Sequence, residues 1–191
     1  MTPADVAAVF AVGLVVVIVG YIVLASYNAV VALRQRIDKA WSNIGVVLRQ
    51  RHDQLPNLVS AVRGLMTYER DVLTRVTEAR AAYAPDAPIP DQAQTSEATT
   101  AAVRSLFAVV ERYPEVKSAG NVLALQNEIE RLESMIADRR ELYNDQVYRY
   151  NTRIGQIPGA ILAPLFGWRP REFFAADPAD TVRPDTDLRT T

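Results

Sequence analysis

Twenty consecutive residues without a charge, Val6 to Ala25 (VAAVFAVGLVVVIVGYIVLA), constrain this chain more than any other feature. At a helical rise of about 1.5 Å per residue they span roughly 30 Å, the hydrocarbon thickness of a bilayer. Thirteen of them are Val, Ile, Leu or Phe, which sets an upper bound of about 4–8 kcal/mol on the insertion free energy. A core helix of a soluble protein keeps a polar face, and this run has none. A cleaved signal peptide begins with basic residues, whereas the only charged side chain before the run is Asp5. The segment 6–25 is therefore expected to be a retained transmembrane helix, preceded by a short flank at 1–5. Arg34, Arg36 and Lys39 follow it, so positive charge favours a cytoplasmic C-terminal part and an outside N-terminus in a single-pass plasma-membrane topology. An envelope-facing domain, acting in stress responses, is the alternative.

About 165 residues remain beyond the run, enough for one domain with its own core. A net charge of −1 supplies no basic field for nucleic acid. The absence of cysteine excludes disulfides, thiolate catalysis and thiolate metal sites.

After Ala25 the pattern changes from apolar all round to one apolar stripe, Val30, Leu33, Ile37, Trp41, Ile44 and Leu48, without a proline before Pro56. The membrane helix is thus expected to run on into the folded domain. Pro56 suits a helix's first turn, so a turn is expected at His52–Asn57, with Asp53 capping a second helix and Asn57 in the same turn. That helix carries Leu58, Val62, Leu65, Val72, Val76, Ala79 and Tyr83. The segment Ala84–Glu97 has three prolines and reads as a surface loop. A third helix is expected over Ser96–Tyr113, ended by Pro114, with Ala102, Leu106, Val109 and Tyr113 inward. The last helix bears Val122, Leu125, Ile129, Leu132, Ile136, Tyr143, Val147, Tyr150, Ile154 and Ile157 in a near-heptad register broken at Arg139. Its opposite side, from Glu128 to Glu141 and including Glu133, reads as a solvated charged face. Strand signals are absent. The expected fold is all-α, an N-terminal transmembrane helix continuing into an antiparallel up-and-down four-helix bundle over 26–157. The heptad suits self-pairing as well as an intramolecular contact, so a homo-oligomer stays open.

These residues resemble the LemA family. The resemblance rests on Tyr27-Asn28 with Leu33-Arg34, on Ala40-Trp41-Ser42-Asn43-Ile44, and on the run Arg51-His52-Asp53-Gln54-Leu55-Pro56-Asn57-Leu58-Val59. It continues through Ala79-Arg80-Ala81, Tyr113-Pro114, Asn121 with Leu125-Gln126, Tyr143-Asn144 and Tyr150-Asn151-Thr152-Arg153-Ile154, and ends with Pro158, Phe166-Gly167 and Phe173. Gly45, Val47 and Ile157 depart from the family's habit. The resemblance implies a membrane-anchored helical bundle and supplies no reaction, cofactor or metal.

Three constellations invite a functional reading. The pairs Tyr143-Asn144 and Tyr150-Asn151 lie two helical turns apart, hence on one face, and Tyr27-Asn28 repeats them. They either pin the last helix against the first or form a ligand site. His52-Asp53 suggests a general base for a hydrolase or transferase, but no nucleophile accompanies it. The apolar segment 158–174 is too short and too broken to span a bilayer. Either Ile161, Leu162, Leu165, Phe166 and Trp168 enter the membrane interface, with Arg169 and Arg171 at anionic headgroups, or the segment caps the bundle. The polar stretch 175–191 is expected to be disordered. The function expected is a non-catalytic scaffold that recruits an unidentified protein partner to the lipid bilayer, through the charged face of the last helix or the loop at Ala84–Glu97.

Overall fold

The computed structural model describes residues 3–63, 69–117 and 119–175. All regular structure among them is helical: α1 Pro3–Arg63, α2 Arg70–Ala81, α3 Ile89–Val110, α4 Pro114–Lys117, α5 Gly120–Gly155 and α6 Gly159–Phe166. The expected disordered stretch 175–191 (apart from Ala175) and Leu65 of the second stripe lie outside the described residues. Two compact units share these helices. The first takes the chain up to Ala40 together with Asp145–Arg171, the second Trp41–Asn144 together with the chain from Glu172.

In the first unit the apolar run is helical and faces outward, with Phe10 76% and Val17 69% exposed. Burial begins only beyond it, at Ser26, Val30 and Ile37 of α1 and at Val147, Tyr150 and Ile154 of α5. In the second unit the core is built from Ile44, Val47, Leu48, Leu55, Leu58 and Val62 of α1, Val72, Leu73 and Val76 of α2, Val103, Leu106 and Val110 of α3, and Val122, Ile129, Leu132 and Ile136 of α5. Those positions recur at three and four residues, as helices packing one face require. On α3 the inward residues include Ser96, Thr99, Val103, Leu106, Val109 and Val110, while Ala102, and Tyr113 beyond the helix's end, are only half-buried. Arg139, which breaks the register of α5, donates to the Asn43 carbonyl at 2.8 Å. Ile157 leaves the stripe altogether and is 79% exposed.

The turn expected at His52–Asn57 does not form: α1 passes through Pro56 and ends at Arg63. Asp53 and Asn57 are exposed on a continuous helix and cap nothing; the Asn57 amide donates to Gln54. A proline inside a helix removes an N–H and leaves the carbonyl four residues earlier without its partner. Here that carbonyl belongs to His52, and the Arg80 Nε donates to it from α2 at 3.2 Å. The guanidinium replaces the missing amide, so the helix continues.

Three further prolines stand at helix starts instead of in a loop or at a helix end. Pro88 and Pro90 sit at the start of α3, where no N–H is required, and Pro114 opens α4. The loop after α2 is accordingly shorter than the expected Ala84–Glu97. It is closed by the buried Gln92, whose amide donates to the carbonyls of Pro85 and Ala87, both at 2.8 Å.

Arg80→Leu strands the His52 carbonyl and is expected to cost about 1–3 kcal/mol. In a Pro56→Ala background, where the amide returns, the same replacement is expected to cost less than half as much. Thermal melts of the four proteins in detergent, followed by circular dichroism, measure this coupling.

Candidate functional site

The second unit holds a charged group where its core should be apolar. Arg51 lies on the stripe between Leu48 and Leu55, and its side chain is only 4% exposed. Its guanidinium donates to Glu133 Oε1 at 2.8 Å, Thr100 Oγ1 at 3.0 Å, Ser96 Oγ at 3.0 Å and the Ser96 carbonyl at 3.4 Å. Thr100 Oγ1 in turn donates to Glu133 Oε2 at 2.7 Å. Each carboxylate oxygen therefore has a donor, and the planar guanidinium bridges α1, α3 and α5, a use suited to arginine. Glu133, expected on a solvated face, is instead held inward. Motifs do not single out Ser96, Thr100 or Glu133; the readable signal is a charge within an apolar stripe.

Above this cluster a cleft of about 260 Å³ opens, lined among others by Glu97, Thr100, Arg104, Glu133, Arg140 and Phe174. Arg140 meets Glu97 across it at 3.4 Å. Both signs of charge face the opening, which suits a polar protein segment better than a single anion or cation. Among the described residues no group of three or more His, Asp or Glu is placed to hold a metal ion.

The tyrosines and asparagines of α5 bind the chain's own backbone. In the first unit the Tyr150 hydroxyl donates to the Arg169 carbonyl at 3.1 Å. Asn151 there makes a two-way pair with Arg171: its amide donates to the carbonyl at 2.9 Å, and its Oδ1 accepts the N–H at 2.8 Å. The second unit repeats the device. The Tyr143 hydroxyl donates to the Glu172 carbonyl at 2.9 Å, and Asn144 pairs with Phe174 at 3.3 and 2.8 Å. An asparagine amide offers a donor and an acceptor side by side, as a peptide group does, so it substitutes for a neighbouring strand. The polar atoms of these side chains fasten an extended segment of the chain itself.

The remaining motif residues fall as follows. Tyr27 does not join a Tyr–Asn pairing: its ring lies 5.2 Å from Phe166 and 6.2 Å from Trp168, and Asn28 is exposed. Trp41 packs against Tyr143 at 5.6 Å and Phe174 at 5.8 Å. The Tyr113 hydroxyl donates to Glu69 at 3.3 Å. Of the residues expected at a membrane interface, Leu162 and Trp168 are each 7% exposed and point inward, a correction that leaves Ile161, Leu165 and Phe166 outward. Trp168 turns in because it stacks on Phe166 at 5.1 Å. Arg169 is exposed, and Arg171 is paired with Asp38 at 3.5 Å.

His52 lies on α1 beside Tyr83, with ring centroids 4.9 Å apart. Its Nδ1 is buried without a hydrogen-bond partner, so Asp53 does not orient it. Burial, and then the positive charge of Arg80, hold its pKa below the ordinary imidazole value. A nearby cavity of about 160 Å³ between α1 and α2 is lined by residues such as Leu55, Pro56, Val76 and Arg80 but not by His52.

Among known proteins, the model of the LemA family matches residues 40–187. Magnetosome proteins MamQ 2 and MamQ 1 of Paramagnetospirillum magneticum are each 36% identical to this chain over 78 residues. MamQ of Magnetospirillum gryphiswaldense is 35% identical over 78 residues. Each match covers 41% of this chain and 29% of the relative, so the chain spans under a third of the length of these proteins.

Glu133→Ala leaves the Arg51 charge buried and unpaired, and is expected to cost about 3 kcal/mol in thermal or denaturant unfolding. His52 carries a pH signature. Because its folded pKa is depressed, the unfolded chain binds the proton more readily, so its contribution to stability is complete above about pH 6.5 and is lost as pH falls. Melting temperatures between pH 7.5 and 5 should therefore fall less steeply in His52→Phe than in the native chain.

Proposed function

Because the chain belongs to the LemA family and bears an outward-facing apolar helix long enough to cross a membrane, we propose that it is a single-pass, membrane-anchored scaffold that recruits a protein partner. The observation that carries this reading is the exposure of the apolar run: a soluble protein would leave that surface in water at a cost of about 25 cal/mol per Å², and a bilayer removes the cost. The basic residues Arg34, Arg36 and Lys39 on its C-terminal side support a cytoplasmic domain at the plasma membrane. We read α1, α2, α3 and α5 as an antiparallel four-helix bundle, a reading supported by the packing of α2 on α3 and by the bonds of Arg51 to both α3 and α5.

The scaffold has no need of catalysis. Its one histidine does not line the cavity between α1 and α2 and has no oriented carboxylate, and the hydroxyls of Ser96 and Thr100 are engaged with Arg51 and Glu133. The mixed-charge cleft bounded by Glu97, Arg104 and Arg140 is the surface on which a partner's polar segment would sit.

Val15→Asp combined with Val17→Asp is expected to move the protein from the carbonate-resistant membrane fraction to the soluble one. A phosphatase reporter after Thr191 is expected to be inactive, and an active one would reverse the orientation. Crosslinking in intact membranes is expected to capture a partner that is lost in Arg104→Glu with Arg140→Glu and kept in His52→Gln. The opposite pattern would favour an enzyme using His52.

A further inference from the structure

Not all of the exposed apolar surface lies on the anchor. In the same unit, α6 is flanked by Ile157 (79% exposed) and carries Ile161 (61%), Leu165 (75%) and Phe166 (43%) outward. Residues 157, 161 and 165 recur every four positions, and Ile161 and Leu165 stand one turn apart on α6. The other side of α6 is held down: Leu162 and Gly159 are buried, and a Cβ at Gly159 would strike the Arg153 carbonyl. The helix therefore presents one apolar face and has no freedom to turn it inward. At its end Gly167 adopts φ 65°, a left-handed conformation that suits glycine, and returns the chain so that Trp168 lies under Phe166.

The position of this face identifies what covers it. Tyr27 follows the last residue of the apolar run by two, and its ring touches both Phe166 and Trp168. The outward surface of α6 is thus continuous with the outward surface of α1 where the chain leaves its apolar stretch, around Leu24 and Tyr27. An exposed tyrosine beside an apolar face, as Tyr27 is, is what the bilayer–water boundary selects. No charged residue occurs from Gly155 to Trp168, while Arg153 precedes the segment and the exposed Arg169 follows it. Arg171 is tied to Asp38, so the basic side chain left for headgroups at this end of the segment is Arg169.

We infer that α6 is an interfacial helix lying beside the anchor, with Ile157, Ile161, Leu165 and Phe166 immersed at the headgroup–acyl boundary. This rests on the membrane reading above and adds to it a second lipid contact, contributed by the far end of the chain. Two contacts fix the rotation of α1 about its own axis, which a lone spanning helix leaves free.

The chain contains no cysteine, so single cysteines introduced for labelling are unique. Full-length Ile161→Cys, Leu165→Cys, Val15→Cys and Ala98→Cys proteins, each carrying an environment-sensitive fluorophore, are placed one copy per nanodisc of phosphatidylcholine and phosphatidylglycerol. Labels at 161 and 165 are expected to be quenched by lipids bearing a nitroxide near the headgroup and little by aqueous iodide; the label at 98 should show the reverse. Iodide quenching at 161 and 165 equal to that at 98 would overturn the inference. Shielding from both quenchers would also overturn it, in favour of a protein surface. The label at 15 reports the anchor separately: quenching there by deep-chain nitroxides supports the span, and quenching by iodide refutes it, whatever α6 does.

Discussion

Backbone groups removed from water must find partners, and this fold turns on how it supplies them wherever a helix is interrupted. Helices satisfy their own N–H and C=O groups; prolines, loops and extended segments do not. At several such points a side chain takes over. Arg80 serves the carbonyl that Pro56 orphans, Gln92 closes the loop before α3, and Asn144 and Asn151 act as stand-in peptide groups for the segment that follows α6. The four substitutions share one logic: a planar amide or guanidinium with several donors replaces a regular ladder. Without Arg80, α1 would have reason to break at Pro56, and the inward positions Leu58, Val59 and Val62 would leave its axis.

Arg51 extends the same logic to charge. Burying a guanidinium is costly unless its donors are occupied, and here Ser96, Thr100 and Glu133 occupy them. The pair makes little case for extra stability over an apolar core of equal volume, but it fixes register. A one-turn slip of α3 would leave one hydroxyl beside the guanidinium where there are now two, and would bring Gln92 or Arg104 into the other place. Leucines on the same face would tolerate that slip far better, because apolar contacts are non-directional.

Features governed by local period were legible in the amino-acid order: the apolar run, the all-helical class, and the inward positions of α1 and α5 from Val30 to Ile154. Features governed by distant partners were not. Pro56 reads as a break because its missing amide is visible in the sequence, while its remedy lies in Arg80, 28 residues beyond the His52 carbonyl that it serves. Pro88 and Pro90 read as loop residues because proline is equally at home in a loop and in a helix's first turn. The seven-residue spacing of Tyr143-Asn144 and Tyr150-Asn151 revealed that they share a face. It did not reveal that their partners are backbone groups 19 to 30 residues later, because an extended segment leaves no periodic signature of its own. Trp168 misled for a related reason. Its residue type suits a membrane boundary, yet a neighbouring Phe166 and Tyr27 give the indole a drier place to go.

The use of polar side chains for internal bonding narrows where function can reside. On α5, Tyr143, Asn144, Tyr150, Asn151 and Glu133 are the groups that would ordinarily recognise a small molecule, and each is already bonded within the chain. Releasing any of them for a ligand would unfasten the segment it holds or uncover the Arg51 charge. Among the described residues, the surface offers exposed charges around the cleft at Glu97, Arg104 and Arg140, and apolar area on α1 and α6. Surfaces of these two kinds suit the partner and lipid contacts proposed above, and neither contact requires the core to move. A fixed interior beneath such an exterior fits the scaffold proposed above, since a partner of a scaffold must find the same face each time.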